Sequence, residues 1–284
     1  MNYLIYNPQA KEGKCKEIAE SLKVKLEPSF PELGMIPLKN FDWDAFCKTL
    51  KATDNVILLG GDGTLNRIVN SLGHSSFVCP VYFAEVGTGN DFVKDIEEEK
   101  DPKTGLFRIN DYIENLPYVE VKGKTYRFLN GIGFGIDGEC CVKAEEMKAE
   151  GTEDINYSSI TVKLLLHGYT PRNAKVVVDG REYQFKKVYI ASSMNGRYYG
   201  GGMKVAPEQK RGSGKITFVS VFGKGKIGTF LMFPGIFKGT HLKNKRNAIA
   251  LVGKCIEVTF DKPTGLQIDG EVINDVLTYK AYIK

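Results

Sequence analysis

Short unbroken apolar runs mark the first third of the chain. "NYLIY", "NVILL" and "CPVYFAEV" predict buried strands. Between them, "CKEIAESLKVKL" and "DAFCKTL" carry apolar residues at helical spacing. In "TLNRIVNSL", Leu65, Ile68, Val69 and Leu72 fall at i, i+3, i+4 and i+7, and Gly73 follows as a stop. "GTGNDFVKDI" predicts a further helix. This alternation of strand and helix predicts a parallel, doubly wound α/β sheet.

Near Leu116–Pro117 the period changes to two. "YVEVKG", "TYRFLNG", "AKVVVDGREYQFKKVYIASS", "KITFVSVFG" and "CIEVTF" predict a mainly antiparallel second part, with Asp179–Gly180 as a tight hairpin turn. Two domains are expected, 1–116 and 117–284, with room for the last residues to return to the first. "EEEKDPK" reads as a solvated loop. No repeat or low-complexity tract interrupts the pattern.

The 284 residues are 42% hydrophobic and 26% charged, a composition that can bury a core. A net charge of +5 permits attraction to phosphates or an anionic membrane surface but does not mark a nucleic-acid binder. The six cysteines form no C-x-x-C pair, and three histidines are too dispersed for zinc. Reduced, mostly buried cysteines and an N-terminus without signal-peptide character predict a cytoplasmic chain. No apolar run reaches the length of a transmembrane segment.

Candidate chemistry gathers at two glycine-rich joints. In "LLGGDGTLNR" a strand gives way to a helix through Gly60, Gly61, Asp62, Gly63 and Thr64. Helix N-termini bind anions through free N–H groups and the dipole. Glycine lets the backbone approach a phosphate and take positive φ. Asp62 would repel a phosphate unless a divalent metal lay between them; Thr64 can cap the helix. A Gly-rich turn with a capping aspartate is the simpler alternative. The second joint, "EVGTGNDF", places Gly87, Thr88 and Gly89 after a strand and Asn90 and Asp91 at a helix start. Both joints fall at carboxyl ends of strands, where open α/β sheets bind ligands.

"GGDGT" followed at this spacing by "GTGNDF" resembles the catalytic domain of diacylglycerol kinases, related bacterial lipid kinases and sphingosine kinases. NAD kinases and phosphofructokinases are more distant likenesses that lack the "GTGNDF" element. Along nearly the whole chain, "NPQA", "FLNGIGFGIDG", "GRYYGGGMKVAP" and "LQIDGEVI" resemble further motifs of the family, in order. The resemblance implies an α/β nucleotide domain, a β-sandwich second domain and a cleft between them. It implies ATP-dependent phosphorylation of a lipid hydroxyl, with diacylglycerol the default acceptor and Mg2+ as cofactor. Asn7, Gly60, Gly61, Gly63, Thr64, Thr88 and Asn90 would hold ATP. Asp62 and Asp91 would organise the metal, Glu271 would be the general base, and Asp269 would support it. Locally, "IDGEV" reads equally well as a plain Asp-Gly hairpin like "VDGRE".

The chain departs from the family pattern in places. Ala10 and Lys11 stand where Ser-Gly is usual, and Glu120 stands for an aspartate of the metal network. Gly212 and Ser213 replace an Asp-Gly pair, which predicts no second structural magnesium. Glu85 replaces a proline, and Lys94 replaces an arginine. "KIGTFLMFPGIFKGTHLKNKR" reads either as an interfacial helix with a basic rim or as a buried helix with a basic loop. His241 reads as structural. Tyr198, Tyr199 and Gly200–Gly202 read as a cleft-lining loop or as packing. Expected partners are a lipid at a membrane surface, met peripherally, and no nucleic acid; a homodimer is allowed. Two other readings stay open: a small-metabolite kinase of the NAD kinase type, and a nucleotide- or lipid-binding regulator without catalysis.

Overall fold

The apolar runs of the first third form the centre of a five-stranded sheet. In the computed structural model, which describes residues 1–86, 89–152 and 155–284, the chain divides into units 1–115 and 116–284. The first unit runs β1 (Asn2–Tyr6), α1 (Cys15–Leu26), β2 (Leu33–Pro37), α2 (Trp43–Thr49), β3 (Asn55–Gly60), α3 (Asp62–Ser71), β4 (Val81–Glu85), α4 (Asp91–Lys94), β5 (Phe107–Arg108) and α5 (Asn110–Glu114). α1 buries Cys15, Ala19 and Leu26 along one stripe, with Glu17 in its first turn and Lys23 and Lys25 in its last. Asp42 caps α2 by accepting the Ala45 N–H at 3.0 Å.

Strand order is β2-β1-β3-β4-β5, with β1–β2, β1–β3 and β3–β4 parallel and β4–β5 antiparallel. The chain leaves β1 towards β2 and leaves β3 in the opposite direction towards β4. The topological switch point therefore falls between the carboxyl ends of β1 and β3, the usual ligand crevice of such sheets. β2 and β5 were absent from the apolar pattern. β2 reads "LGMIP", where a glycine and a proline break the run, and β5 is two residues long.

The second unit runs β6 (Tyr118–Val121), β7 (Lys124–Arg127), β8 (Gly131–Phe134), α6 (Ile136–Ala149), α7 (Tyr157–Lys163), β9 (Arg172–Val178), β10 (Arg181–Met194), β11 (Ile216–Phe222), α8 (Lys226–Lys238), β12 (Ala248–Gly253), β13 (Cys255–Ile268) and β14 (Glu271–Tyr282). Its strands order β12-β11-β10-β8-β13-β14-β6-β7, and β9 pairs with both β10 and β13. β8 and β9 thus share one lane between the long strands β10 and β13. β8 fills one end, opposite Ser193 and Ile268, and β9 fills the other, opposite Phe185 and Phe260. The helical excursion α6–α7 leaves the lane after Phe134 and returns at Arg172. A core of Phe134, Val176, Val188, Phe218, Val258, Phe260 and Tyr279 covers one sheet face. Tyr189, Ile190, Met194, Val219 and Ile236 form a second core that includes α8.

The excursion was not legible in the period-two pattern. α6 buries the small residues Gly138, Cys140 and Ala144, which make no strong apolar stripe. Its fit is close: a Cβ on Gly138 would lie 1.9 Å from the Gly265 carbonyl oxygen in β13. Glu139 fastens the same contact, accepting from Thr264 Oγ1 at 2.6 Å and Gly265 N–H at 2.8 Å. β14 runs in the second sheet to Tyr282, paired with β13 and β6, so the last residues do not return to the first unit.

Candidate functional site

In the first unit, the two glycine joints are tied together by one carboxylate. Asp62 opens α3 and accepts the N–H groups of Asp91 (2.7 Å) and Phe92 (3.3 Å), the first residues of α4. The capping side chain of α4 therefore comes from the other joint. Phe92 is fully buried against Phe83, which fixes α4 to the sheet. Asn90 precedes the helix at φ 38°, in the left-handed region, and Asp91 is buried. The helix expected over "GTGNDFVKDI" is a single turn.

The glycines of the first joint serve differently from expectation. None of Gly60, Gly61 and Gly63 has positive φ. Gly60 is required by packing, because a Cβ there would lie 2.6 Å from Thr64 Cβ. A Cβ on Gly63 would meet nothing within 4 Å. The Thr64 side chain thus lies over the end of β3. A pocket of about 200 Å³ brings Thr64 together with Asn7, Gln9, Phe41, Trp43 and Arg67. Asn7 follows β1, so the pocket opens beside the β1/β3 switch point. Asn7 Oδ1 accepts the Gln9 N–H at 3.1 Å, which shapes the turn after the strand. Thr88, with Gly87, and the side chain of Lys11 lie outside the described residues.

Among the described residues, no three His, Cys, Asp or Glu side chains converge as a metal site. Asp62 opens α3 and Asp91 opens α4, so each joint carries a carboxylate at the start of its helix. That donor set fits magnesium, which keeps waters and takes its remaining oxygens from substrate phosphates. Glu85, where a proline was expected, accepts from Lys100 Nζ at 3.2 Å and holds the Lys100 ammonium above its usual pKa. Lys94 is exposed.

In the second unit, Asp269 and Gly270 form the β13–β14 turn with φ 48° and 94°, both left-handed, as a type I′ turn requires. The Asp269 carboxylate accepts three successive N–H groups, those of Leu129 (2.5 Å), Asn130 (2.8 Å) and Gly131 (3.0 Å). Asp269 is therefore a positioning residue for the entry to β8. Asp179 in the other Asp-Gly turn does the same for Lys254 and Cys255, at 2.9 and 2.8 Å. Turn geometry alone does not separate the two. What separates them is the surroundings of Asp269. Arg211 donates to the Leu129 carbonyl and, at 2.8 Å, to Asn130 Oδ1. Asn195 Nδ2 donates to the Leu129 carbonyl at 2.9 Å, and Gln267 Oε1 accepts the Gly270 N–H at 2.7 Å. Arg211, next to Gly212 and Ser213 in sequence, thus brings a guanidinium to this loop network.

Glu271 is the first residue of β14 after this locked turn, and it is exposed. Glu120, expected in the metal network, lies in β6 of the second unit. Glu120 pairs opposite Lys280 in the β6–β14 register, nine residues along β14 from Glu271. Glu120 accepts a hydrogen bond from Tyr282, whose pKa it raises.

The sequence reading missed a buried polar cluster. Asp137, at the start of α6, accepts from the Tyr199 hydroxyl and, at 3.2 Å, from Ser192 Oγ. Desolvation pushes its pKa up to about 6, against the lowering effect of those two hydrogen bonds. Tyr199 is thereby a packing residue. Gly200, Gly201 and Gly202, all at positive φ, turn the chain so that Tyr199 and Met203 exchange backbone hydrogen bonds of 3.1 and 3.2 Å. His241 is buried, with Nε2 3.0 Å from the Val205 carbonyl oxygen, and burial lowers its pKa. All six cysteines are free, and burial raises Cys140 to about 11. No described helix is long and apolar enough to cross a membrane.

Comparison with known proteins follows these two units. Residues 2–119 match the diacylglycerol kinase catalytic domain, and residues 130–280 match the YegS C-terminal NAD kinase beta sandwich-like domain. A Staphylococcus aureus protein named "Putative lipid kinase SAR0780" is 27% identical over 242 residues, spanning 80% of this chain and 75% of that protein. A crystal structure of a diacylglycerol kinase from Bacillus anthracis aligns over 100% of this chain and 94% of its own, with TM-score 0.68 and 21% identity. Yeast NADH kinase aligns over 100% of this chain and 80% of its own, with TM-score 0.51 and 11% identity. At these identities the two structures speak for the fold alone.

Proposed function

Because the chain belongs to the diacylglycerol kinase catalytic-domain family of lipid kinases, we propose that it transfers the γ-phosphoryl group of ATP to a lipid hydroxyl, with diacylglycerol as the default acceptor. The observation that carries this reading is the Asp62 carboxylate, which joins both glycine joints beside the β1/β3 switch point. Phosphoryl transfer asks a protein for positioning and charge neutralisation more than for covalent chemistry.

The first unit holds the donor. Asn7 and Thr64 line the pocket for the nucleotide, and the Gly60–Gly63 backbone at the α3 N-terminus faces the phosphates. Gly63 leaves room for that approach. Asn90, at the start of α4, and Thr88 contribute from the second joint. Asp62 and Asp91 would hold a magnesium ion, which would neutralise phosphate charge. The second unit supplies the base. Glu271 takes the proton of the attacking hydroxyl, and Asp269 fixes the turn that presents it. Glu120 is given no role in this reading.

The test is ADP release from Mg-ATP in the presence of mixed vesicles containing diacylglycerol. Lipid-dependent release by the wild type, lost in Asp62→Ala and Glu271→Gln with ATP still bound by Glu271→Gln, is expected. Release that needs no lipid, or that survives Glu271→Gln, would overturn the assignment.

A further inference from the structure

We propose that the outer face of α8 is a docking surface for an anionic phospholipid bilayer. The residues of α8 that face solvent are Lys226, Ile227, Phe230, Leu231, Pro234, Phe237 and Lys238. From Ile227 they recur at i, i+3, i+4, i+7 and i+10, which is one side of a helix. That side is wholly apolar between its two lysines, and Ile227 and Leu231 are each 73% exposed. The opposite side is also apolar, with Thr229 and Ile236 buried and Met232 and Phe233 packed on the core. A helix that is apolar all round is normally buried. α8 is buried on one side only.

Charge identifies what covers the other side. Between Glu208 and Glu257 the chain has no acidic residue and ten lysines and arginines. Lys226 and Lys238 stand at the ends of the stripe, and Lys243, Lys245 and Arg246 are exposed just beyond it. A second copy of this chain, meeting the face about a two-fold axis, would set these like charges against one another. A bilayer with anionic headgroups satisfies both features: acyl chains accept the apolar stripe, and headgroups meet the basic rim.

The face is also mechanically tied to the rest of the second unit. Gly239, at φ 69°, ends α8 against Lys204 and Pro207, and His241 reaches the Val205 carbonyl oxygen. Those residues continue the glycine loop whose Tyr199 is bound to Asp137. The docking surface rests on the lipid-acceptor reading for its purpose, but its test does not pass through catalysis.

The test is co-sedimentation of the full chain with phosphatidylcholine–phosphatidylglycerol vesicles and with pure phosphatidylcholine vesicles. Binding to the anionic vesicles is expected to fall about tenfold or more in Ile227→Asp/Leu231→Asp. A comparable loss is expected in Lys243→Glu/Lys245→Glu/Arg246→Glu, and raised salt should weaken the wild type. Val24→Asp, at an exposed apolar site on α1, should bind as the wild type does. Thermal unfolding of each variant checks folding. A Leu231→Trp variant gives an independent readout: its emission should shift to the blue and be quenched by brominated acyl chains. Unchanged binding by the first variant, or no blue shift, would overturn the surface. So would a dimer that the aspartate pair dissociates while vesicle binding persists. Vesicle binding through α8 without phosphorylation of any lipid would keep the surface and remove the acceptor.

Discussion

Asp62 caps a helix it does not precede: its carboxylate, at the start of α3, accepts the Asp91 N–H of α4 at 2.7 Å. The single-turn helix has no side-chain cap from its own Asn90. Asp62→Ala is therefore expected to lower stability by about 1–2 kcal/mol, the usual cost of a lost N-cap. Asp62→Asn keeps an acceptor for the N–H groups and should recover most of that stability. If both variants lack lipid phosphorylation while Asp62→Asn unfolds like the wild type, the charge has a role beyond capping. Equilibrium denaturation beside a turnover assay reads both.

Asp269 presents a similar choice at the other unit. Removing its carboxylate strands three N–H groups at the entry to β8. Asp269→Ala is expected to cost about 2–4 kcal/mol, since bonds to charged groups are worth about 1.5–3 kcal/mol each and one or more would be replaced by water. Amide exchange at Leu129, Asn130 and Gly131 should accelerate. Unchanged protection there would mean the turn is held by other contacts.

The glycines of the first joint make opposite predictions. Gly60→Ala forces Thr64 from its place and should destabilise the unit. Gly63→Ala enters open space within α3 and should stabilise by up to about 1 kcal/mol through helix propensity. Under the nucleotide reading, Gly63→Ala should still weaken ATP binding, about fivefold or more, by obstructing the phosphates. Calorimetric titration with ATP, beside a melting curve, separates the two effects.

Asp137 makes stability depend on pH in an unusual direction. Its folded pKa, about 6, lies above the ordinary 3.8, so the folded state binds the proton more tightly. The associated stability is present below about pH 4 and is lost as pH rises to about 6. A shift of about two units corresponds to about 3 kcal/mol. His241 acts oppositely: burial lowers its pKa, so its contribution is lost as pH falls below its ordinary 6.5. Subtracting Asp137→Asn from wild type isolates the aspartate. The wild type should lose stability relative to the variant between pH 4 and pH 6, as measured by urea unfolding at each pH.

Much of the first unit was legible because its strands are central and its helices amphipathic. α1 spans the residues whose apolar spacing marked it, Cys15 to Leu26. The switch point was not legible, because it depends on which side of β1 each strand joins, and no local pattern records that. Helix α6 escaped notice because close backbone approach, Gly138 on Gly265, selects small residues in place of an apolar stripe. The Asp269 and Asp137 contacts span 140 and 62 residues of chain, beyond any local signal. The register of Glu120 was not legible for the same reason: its strand partner, Lys280, is far away in sequence.

β6 finds its partner about 160 residues later in the chain, in residues 279–282 of β14. Val119 pairs opposite Ala281, and among the described residues the other strand beside β6 is β7. During synthesis, the hairpin β6–β7 emerges early and stays an unfinished sheet edge until residues 279–282 have left the ribosome. Such long-range pairing is slow, and open edges recruit the wrong partners. The parallel sheet of the first unit needs nothing beyond residue 115 for its strands to pair. Deletion of residues 279–282 should thus spare the first unit and leave the second open at β6, the place where misassembly would begin.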